Sequence, residues 1–167
     1  MGKRKTKVAY LGILTALALV FSYVEMLLPP IYTAVPGIKM GLPNIVIVLA
    51  LYCLGFKYAA IISLVRVFAV FLLFGNAMTV IYSLVGAILS LLLMFLLKKS
   101  EKFSCVGVSV AGAVMHNLGQ TLVAMLLLET AEIGYYMIVL TITGTIAGAL
   151  IGLVSAQLTK RLENRFK

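Results

Sequence analysis

Residues 77–97 read AMTVIYSLVGAILSLLLMFLL, and residues 98–102 follow directly as KKSEK. The first stretch contains no charged side chain, whereas the second is almost entirely charged. About 20 apolar residues in an α-helix rise about 30 Å, which is the thickness of the hydrocarbon core of a bilayer. The pair of stretches therefore predicts a transmembrane helix that ends in an aqueous loop.

Similar apolar runs fill most of the chain. Of its 167 residues, 63% are hydrophobic and 11% are charged, and the mean hydropathy is +1.15. A soluble domain could not cover so much apolar surface with so few polar residues. We therefore predict an all-α polytopic membrane helical bundle, a single integral membrane domain over residues 1–167. Its six predicted transmembrane helices are 8–28, 42–55, 58–74, 77–97, 105–128 and 136–157, of which the second is short for a crossing.

The basic residues predict the orientation of these spans. If the N-terminus lies inside, twelve of the 14 Lys and Arg fall in the inner segments. Basic residues concentrate in the cytoplasmic loops of membrane proteins, so both termini are predicted to be cytoplasmic and the chain to be a multi-pass protein of the cell membrane. The net charge of +9 is explained by this bias, and we expect no nucleic-acid partner.

Small residues mark faces where another helix can approach closely. Gly144, Gly148 and Gly152 recur every four residues in the sixth predicted span. A second stripe of small residues lies in the first span and comprises Ala9, Gly12 and Ala16. Either stripe is compatible with packing inside the bundle or with contact to a partner helix.

Polar side chains within predicted spans are costly in lipid and therefore indicate function. Estimated from the rise of each helix, most of them lie in the outer half of the bilayer, which predicts a substrate pocket that opens outward. We also count Lys39, in the loop after the first span, among the candidate residues. The candidate substrate-binding residues are Glu25, Lys39, Asn44, Arg66, Tyr82, Ser83, His116, Asn117 and Gln120.

Arg66 is the most expensive of these residues, because Arg at a helix centre costs about 2.5–3.5 kcal/mol on insertion scales. Glu25 is the one acidic residue at membrane depth and is its natural partner. By helical rise alone the two differ in depth by about 13 Å, which is long for a direct ion pair. Two interpretations stay open: a structural pair that locks two helices, or a residue that holds a substrate charge.

Patterns typical of enzymes are missing from the sequence. It contains no Asp, so no aspartate-rich Mg²⁺-diphosphate motif is possible, and it has no phosphate-binding loop of the Gly-x-x-x-x-Gly-Lys-Ser/Thr type. The single His and two Cys have no metal-ligand spacing. We expect no catalytic residue, no metal and no cofactor.

Three stretches carry a resemblance to a known family. They are Glu25–Tyr52, which includes PGIKMGLPNIV at 36–46, then YSLVGA at 82–87, and GVSVAGAVMHNLGQ at 107–120. Together they resemble the bacterial Gx transporter family, also named heptaprenyl diphosphate synthase component I, over nearly the whole chain. Pro43 departs from the family pattern, in which a small residue such as Ala is expected.

That family is similar to the substrate-binding S components of energy-coupling factor (ECF) transporters. The resemblance implies six helices, cytoplasmic termini and an outward pocket covered by a lid at 31–41. It implies that Gly12 and Ala16 face a transmembrane coupling protein, and that partner ATPases supply the energy. The implied partners are thus a small-molecule substrate of a vitamin-like, flavin or isoprenoid/quinone-precursor class, membrane lipid, and those subunits.

The second name of the family implies another function, a membrane-embedded accessory component of heptaprenyl diphosphate synthase. Chain-elongating prenyl synthases hold Mg²⁺ and diphosphate with acidic clusters, which this chain lacks. In this alternative the chain is therefore an accessory subunit that has no catalytic residue. A membrane scaffold without a ligand is the third possibility.

Overall fold

The structure is a computed structural model that describes residues 2–27, 41–74 and 77–166. In these ranges the chain is helical apart from short connections, and the prediction of an all-α membrane bundle is confirmed. Lys39 and nearly all of the predicted lid lie outside the described residues. The elements are α1 Gly2–Leu27, α2 Asn44–Cys53, α3 Phe56–Phe74, α4 Ala77–Lys99, α5 Cys105–Leu128, a 3-10 helix at Ala131–Tyr135 and α6 Tyr136–Phe166.

Five of the described helices, α1 and α3 to α6, are long and apolar enough to cross a membrane. The sixth, α2, has only 10 residues. At about 1.5 Å a residue it rises about 15 Å, which is half of the hydrocarbon core. The structure therefore contains the six predicted helices, but α2 is not long enough to make a crossing on its own.

The short helix α2 is the centre of the apolar core. Its residues 46–51 are at most 4% exposed, and helices α1, α3 and α6 all pack against it. Ser155 of α6 donates a hydrogen bond of 3.3 Å to the carbonyl of Ile45. A run that is apolar on every face folds in this way because no side of it needs to meet water.

A glycine ends α2. The N–H groups of Leu54 and Gly55 both donate to the carbonyl of Ala50, at 2.8 and 3.0 Å. Gly55 has a φ of +98°, which is unfavourable for residues that have a side chain. Helix α3 begins at the next residue. Lys98 of α4 donates to the carbonyl of Leu51, so that a cation lies at the C-terminal end of α2.

Helices α4, α5 and α6 form closely packed antiparallel neighbours, and glycines set their spacing. A methyl group added to Gly148 of α6 would lie 2.8 Å from Cα of Val110, and one added to Gly152 would lie 2.7 Å from Cα of Val106. On α5, a methyl on Gly119 would lie 3.0 Å from Cα of Gly86. Such distances leave room for a hydrogen atom but not for a side chain.

The two ends of the bundle differ in charge. Helices α1 and α3 end, and α4 begins, at the end that carries Glu25, here called the Glu25 end. The opposite end, here called the Lys98 end, carries all the described basic side chains except Arg66. They are Lys7, Lys57, Lys98, Lys99, Lys102, Lys160 and Arg161.

Candidate functional site

A small polar pocket lies between α1, α3 and α4 towards the Glu25 end. Its volume is about 30 Å³, room for about two water molecules. Three helices contribute to it, with charged groups from α1 and α3 and hydroxyl groups from α1 and α4. The lining residues are Ser22, Glu25, Arg66, Val67, Val70, Val80 and Ser83. Of the predicted site residues, the pocket thus unites Glu25, Arg66 and Ser83.

Glu25 connects α1 to the segment that leads into α2. It is buried, and its Oε1 accepts hydrogen bonds from the backbone N–H groups of Gly41 and Leu42, the latter at 3.3 Å. A carboxylate that accepts backbone N–H bonds just before a helix is a favourable arrangement, because these donors have no intrahelical partner. Glu25 therefore positions the start of α2 as well as lining the pocket.

Arg66 is buried at the side of the pocket, with 8% of its surface exposed. It interacts electrostatically with Glu25 and also with His116 of α5. Its Nε has no hydrogen-bond partner among the described residues. An uncompensated donor on a buried cation is expensive, so the guanidinium is a group able to bind an anion in the pocket.

Helical rise predicts that Glu25 and Arg66 differ in depth by about 13 Å. In the structure both side chains nevertheless line one pocket, and the two charges interact.

His116 and Gln120 lie together on the face of α5 that packs against α4. A methyl group on Gly86 would lie 2.8 Å from the carbonyl oxygen of His116 and 3.0 Å from Cγ of Gln120. Gln120 is 1% exposed, and its Oε1 has no hydrogen-bond partner in the described part of the chain. The two residues lie behind the polar pocket, with His116 within electrostatic range of Arg66.

The other predicted residues point elsewhere. Asn117 donates from Nδ2 to the carbonyl of Leu140, a 2.9 Å bond between α5 and α6. Tyr82 is buried with Ala124 and Ile133 in a small apolar cluster at the Glu25 end. Asn44 begins α2, half-buried, with its side chain next to Gly41.

Ser22 is the polar pocket residue that the sequence analysis missed. Its hydroxyl donates to the carbonyl of Ala18 at 2.8 Å, which satisfies it within the helix. Its spacing is a usable signal, because residues three apart on a helix share a face and Ser22 precedes Glu25 by three. Val67, Val70 and Val80, which complete the wall, carry no comparable signal in an apolar sequence.

The two small-residue stripes have different surroundings. A methyl group on Gly144 would lie 2.6 Å from Nδ2 of Asn117, so the α6 stripe faces α5 inside the bundle. A methyl on Gly12 would meet no atom within 4 Å, and Ala9 and Ala16 on the same helix are exposed. The α1 stripe thus faces away from the rest of the described bundle.

Among the described residues, no group of three or more His, Cys, Asp or Glu is close enough to hold a metal ion. Both cysteines are free thiols and half-buried. The polar pocket therefore offers a cation, a carboxylate and hydroxyls for recognition of a ligand.

Comparison with known proteins gives one match. The model of a family described as heptaprenyl diphosphate synthase component I matches residues 14–158. The match spans all six helices and includes every residue that lines the polar pocket. No curated protein and no solved structure matches the chain significantly.

Proposed function

The chain belongs to the heptaprenyl diphosphate synthase component I family, and from this premise we propose that it is the substrate-binding membrane subunit of an ECF-type uptake transporter. The observation that carries the proposal is the buried Arg66, whose Nε has no partner among the described residues, in a polar pocket inside an apolar bundle. A purely structural bundle gains nothing from such a group, because apolar residues of similar size stabilise as well or better.

The charge at the two ends supports an outward-facing pocket. The described basic side chains, Arg66 apart, are at the Lys98 end, which the positive-inside rule assigns to the cytoplasm. The polar pocket then lies in the outer half of the membrane, where a substrate from outside reaches it first. Both termini are cytoplasmic in this orientation.

The exposed small residues of α1 support a partner helix. Ala9, Gly12 and Ala16 face away from the bundle, and small residues let helix backbones approach closely in a membrane. In the proposed function this stripe contacts a transmembrane coupling protein. Energy then comes from ATPase subunits, since the chain has no phosphate-binding loop of its own.

Substitution of Arg66 tests the role of the pocket. Arg66→Leu removes the buried cation but keeps an apolar side chain in place, and Lys57→Leu, at the exposed start of α3, is the matched control. Native mass spectrometry of gently extracted protein should find a bound small molecule in wild type and in the Lys57 variant. The Arg66 variant should lose it, and its melting temperature should fall, because the buried carboxylate of Glu25 loses the cation beside it. An unliganded wild type, or a folded Arg66 variant that carries the same molecule, would contradict the proposal.

The name of the family favours a second function, an accessory component of a prenyl diphosphate synthase. It predicts co-purification with a soluble, Asp-rich catalytic subunit and a change in the chain length of its product. If the product profile is unchanged when this chain is deleted, this alternative is wrong. Gly12→Leu separates the two functions further, since it should impair uptake without affecting prenyl products.

A further inference from the structure

A second cavity, almost entirely apolar, lies between α3 and α4 beside the polar pocket. Its volume is about 180 Å³. The middle of this cavity is lined by small or aliphatic side chains, and its rim residues Leu64, Ile88 and Leu92 are 42–45% exposed towards the lipid-facing surface. We call it the α3–α4 groove; besides the rim, its walls are Phe56, Ala60, Val67, Leu84, Ala87, Leu91 and one polar residue, the buried Ser63.

The groove continues the polar pocket. Val67 lines both cavities and follows Arg66 directly in α3. From Val67 the groove runs along α3 to Phe56, a rise of about 16 Å towards the Lys98 end. Phe56 lines the groove at that end, and its ring centroid is 4.6 Å from that of Phe95.

The two volumes fit the two ends of one molecule. The polar pocket, at about 30 Å³, is too small for a whole vitamin-like compound and has room only for a few polar atoms. The groove, at about 180 Å³, is slightly larger than an apolar cavity of about 150 Å³ that holds benzene. It can therefore enclose part of one hydrocarbon chain, the rest of which would lie against the exposed rim.

The charged residues of the polar pocket determine which kind of headgroup it can bind. Glu25 already accepts hydrogen bonds from Gly41 and Leu42, whereas Nε of Arg66 has no partner in the described residues. A guanidinium binds carboxylate and phosphate groups in preference to neutral ones. The group that completes the pocket is therefore an anion.

We propose that the ligand is a single-chain amphiphile dissolved in the bilayer, with its anionic head at Arg66 and its hydrocarbon tail in the α3–α4 groove. This inference rests on the proposed function and narrows its substrate class. The exposed rim gives such a molecule a lateral entrance from the lipid, so that its tail does not cross the aqueous phase.

Three probes test the proposal on the full chain in nanodiscs of phosphatidylcholine. Dodecyl phosphate has the proposed head and tail, ethyl phosphate has the head alone, and dodecyltrimethylammonium has the tail with the opposite charge. Dodecyl phosphate at saturation should raise the melting temperature by roughly 5 °C or more, and the other two should leave it unchanged. Equal shifts from either control probe, or none from dodecyl phosphate, overturn the proposal.

Variants locate the bound probe. Ala60→Leu and Ala60→Phe reduce the groove without touching the polar pocket, and Ile61→Phe, on the exposed face next to it, is the control. The Ala60 variants should lose the dodecyl phosphate shift, the Ile61 variant should keep it, and Arg66→Leu should lose it as well. If a folded Ala60 variant keeps the melting-temperature shift caused by dodecyl phosphate, the tail does not bind in the α3–α4 groove.

The result also separates this inference from the proposed function. If ethyl phosphate stabilises as well as dodecyl phosphate, and Arg66→Leu abolishes both effects, Arg66 binds a polar anion and only the amphiphile falls. If native mass spectrometry finds wild type and Arg66→Leu carrying the same molecule, the pocket itself is not the site and the proposed function fails.

Discussion

Lys98 donates a hydrogen bond of 2.7 Å from Nζ to the backbone carbonyl of Leu51. The same ammonium lies 4.9 Å from the ring centroid of Tyr52. One side chain of α4 thereby satisfies a carbonyl in the last turn of α2, where intrahelical donors run out, and holds the shortest helix in place.

We predict that Lys98→Met destabilises the protein by about 1.5–3 kcal/mol, the range for a hydrogen bond to a charged group. Methionine keeps the length of the side chain but leaves the Leu51 carbonyl without its donor. Lys99→Met is the control, because Lys99 is exposed on the next position of the same helix. Thermal unfolding in detergent, followed by size-exclusion chromatography, measures both, and an equal loss from the two variants would contradict the role of Lys98.

Two glycine substitutions should have opposite outcomes. Gly148→Ala places a methyl group 2.8 Å from Cα of Val110, so α5 and α6 must separate, at a cost of about 1–3 kcal/mol. Gly12→Ala meets open space and improves helix propensity, so no stability is lost. The melting temperatures of the isolated variants test this difference. A stable Gly148 variant would mean that the two helices are less closely packed than described.

Glu25→Ala should release the segment before α2. The N–H groups of Gly41 and Leu42 lose their acceptor, and their hydrogen exchange should accelerate about tenfold or more, as expected when about 1.4 kcal/mol of local stability is lost. Glu25→Gln retains a carbonyl acceptor and should show a smaller effect. Exchange measured by mass spectrometry over residues 41–44 distinguishes the two. Unchanged exchange in the Ala variant would show that other contacts hold the segment.

Asn117 and Arg66 should differ in their effect on ligand binding. Asn117→Ala removes the 2.9 Å bond to the Leu140 carbonyl and should cost about 0.6–1.7 kcal/mol, the range for hydrogen bonds between membrane helices. Because its amide points to α6, ligand binding should persist, whereas Arg66→Leu should abolish binding. Melting temperature and native mass spectrometry on both variants complete this comparison. Loss of ligand in a folded Asn117 variant would return that residue to the site.

The long helices could be predicted from the sequence because an uninterrupted apolar run has one stable form in lipid. The predicted span 105–128 coincides with α5, and the spans around α3 and α4 differ from the helices by about one turn at most. The start of α1 was placed too late, at residue 8, and the end of α6 too early, at residue 157, because both helices continue into charged segments, from Gly2 and as far as Phe166. Hydropathy marks where lipid ends and not where a helix does.

The composition of the pocket could be predicted only in part, because it depends on the rotation and relative height of each helix. Arg66 and Glu25 were identified by their cost in lipid, and both line the pocket. Asn117 was grouped with His116 by sequence, although one step along a helix turns a side chain by about 100°. That rotation is enough to direct it to α6 and not to the pocket side.

The half-length of α2 has a consequence for biogenesis. Ten residues are too few for the insertion machinery to accept as an independent transmembrane segment, which needs about 17–25. Because Gly55 joins it to α3 in a tight turn, the two should enter together as a hairpin. The surface of α6 against which α2 packs is absent until α6 has been synthesised. A chain truncated before Tyr136 would therefore leave the apolar surface of α2 uncovered and should be degraded early.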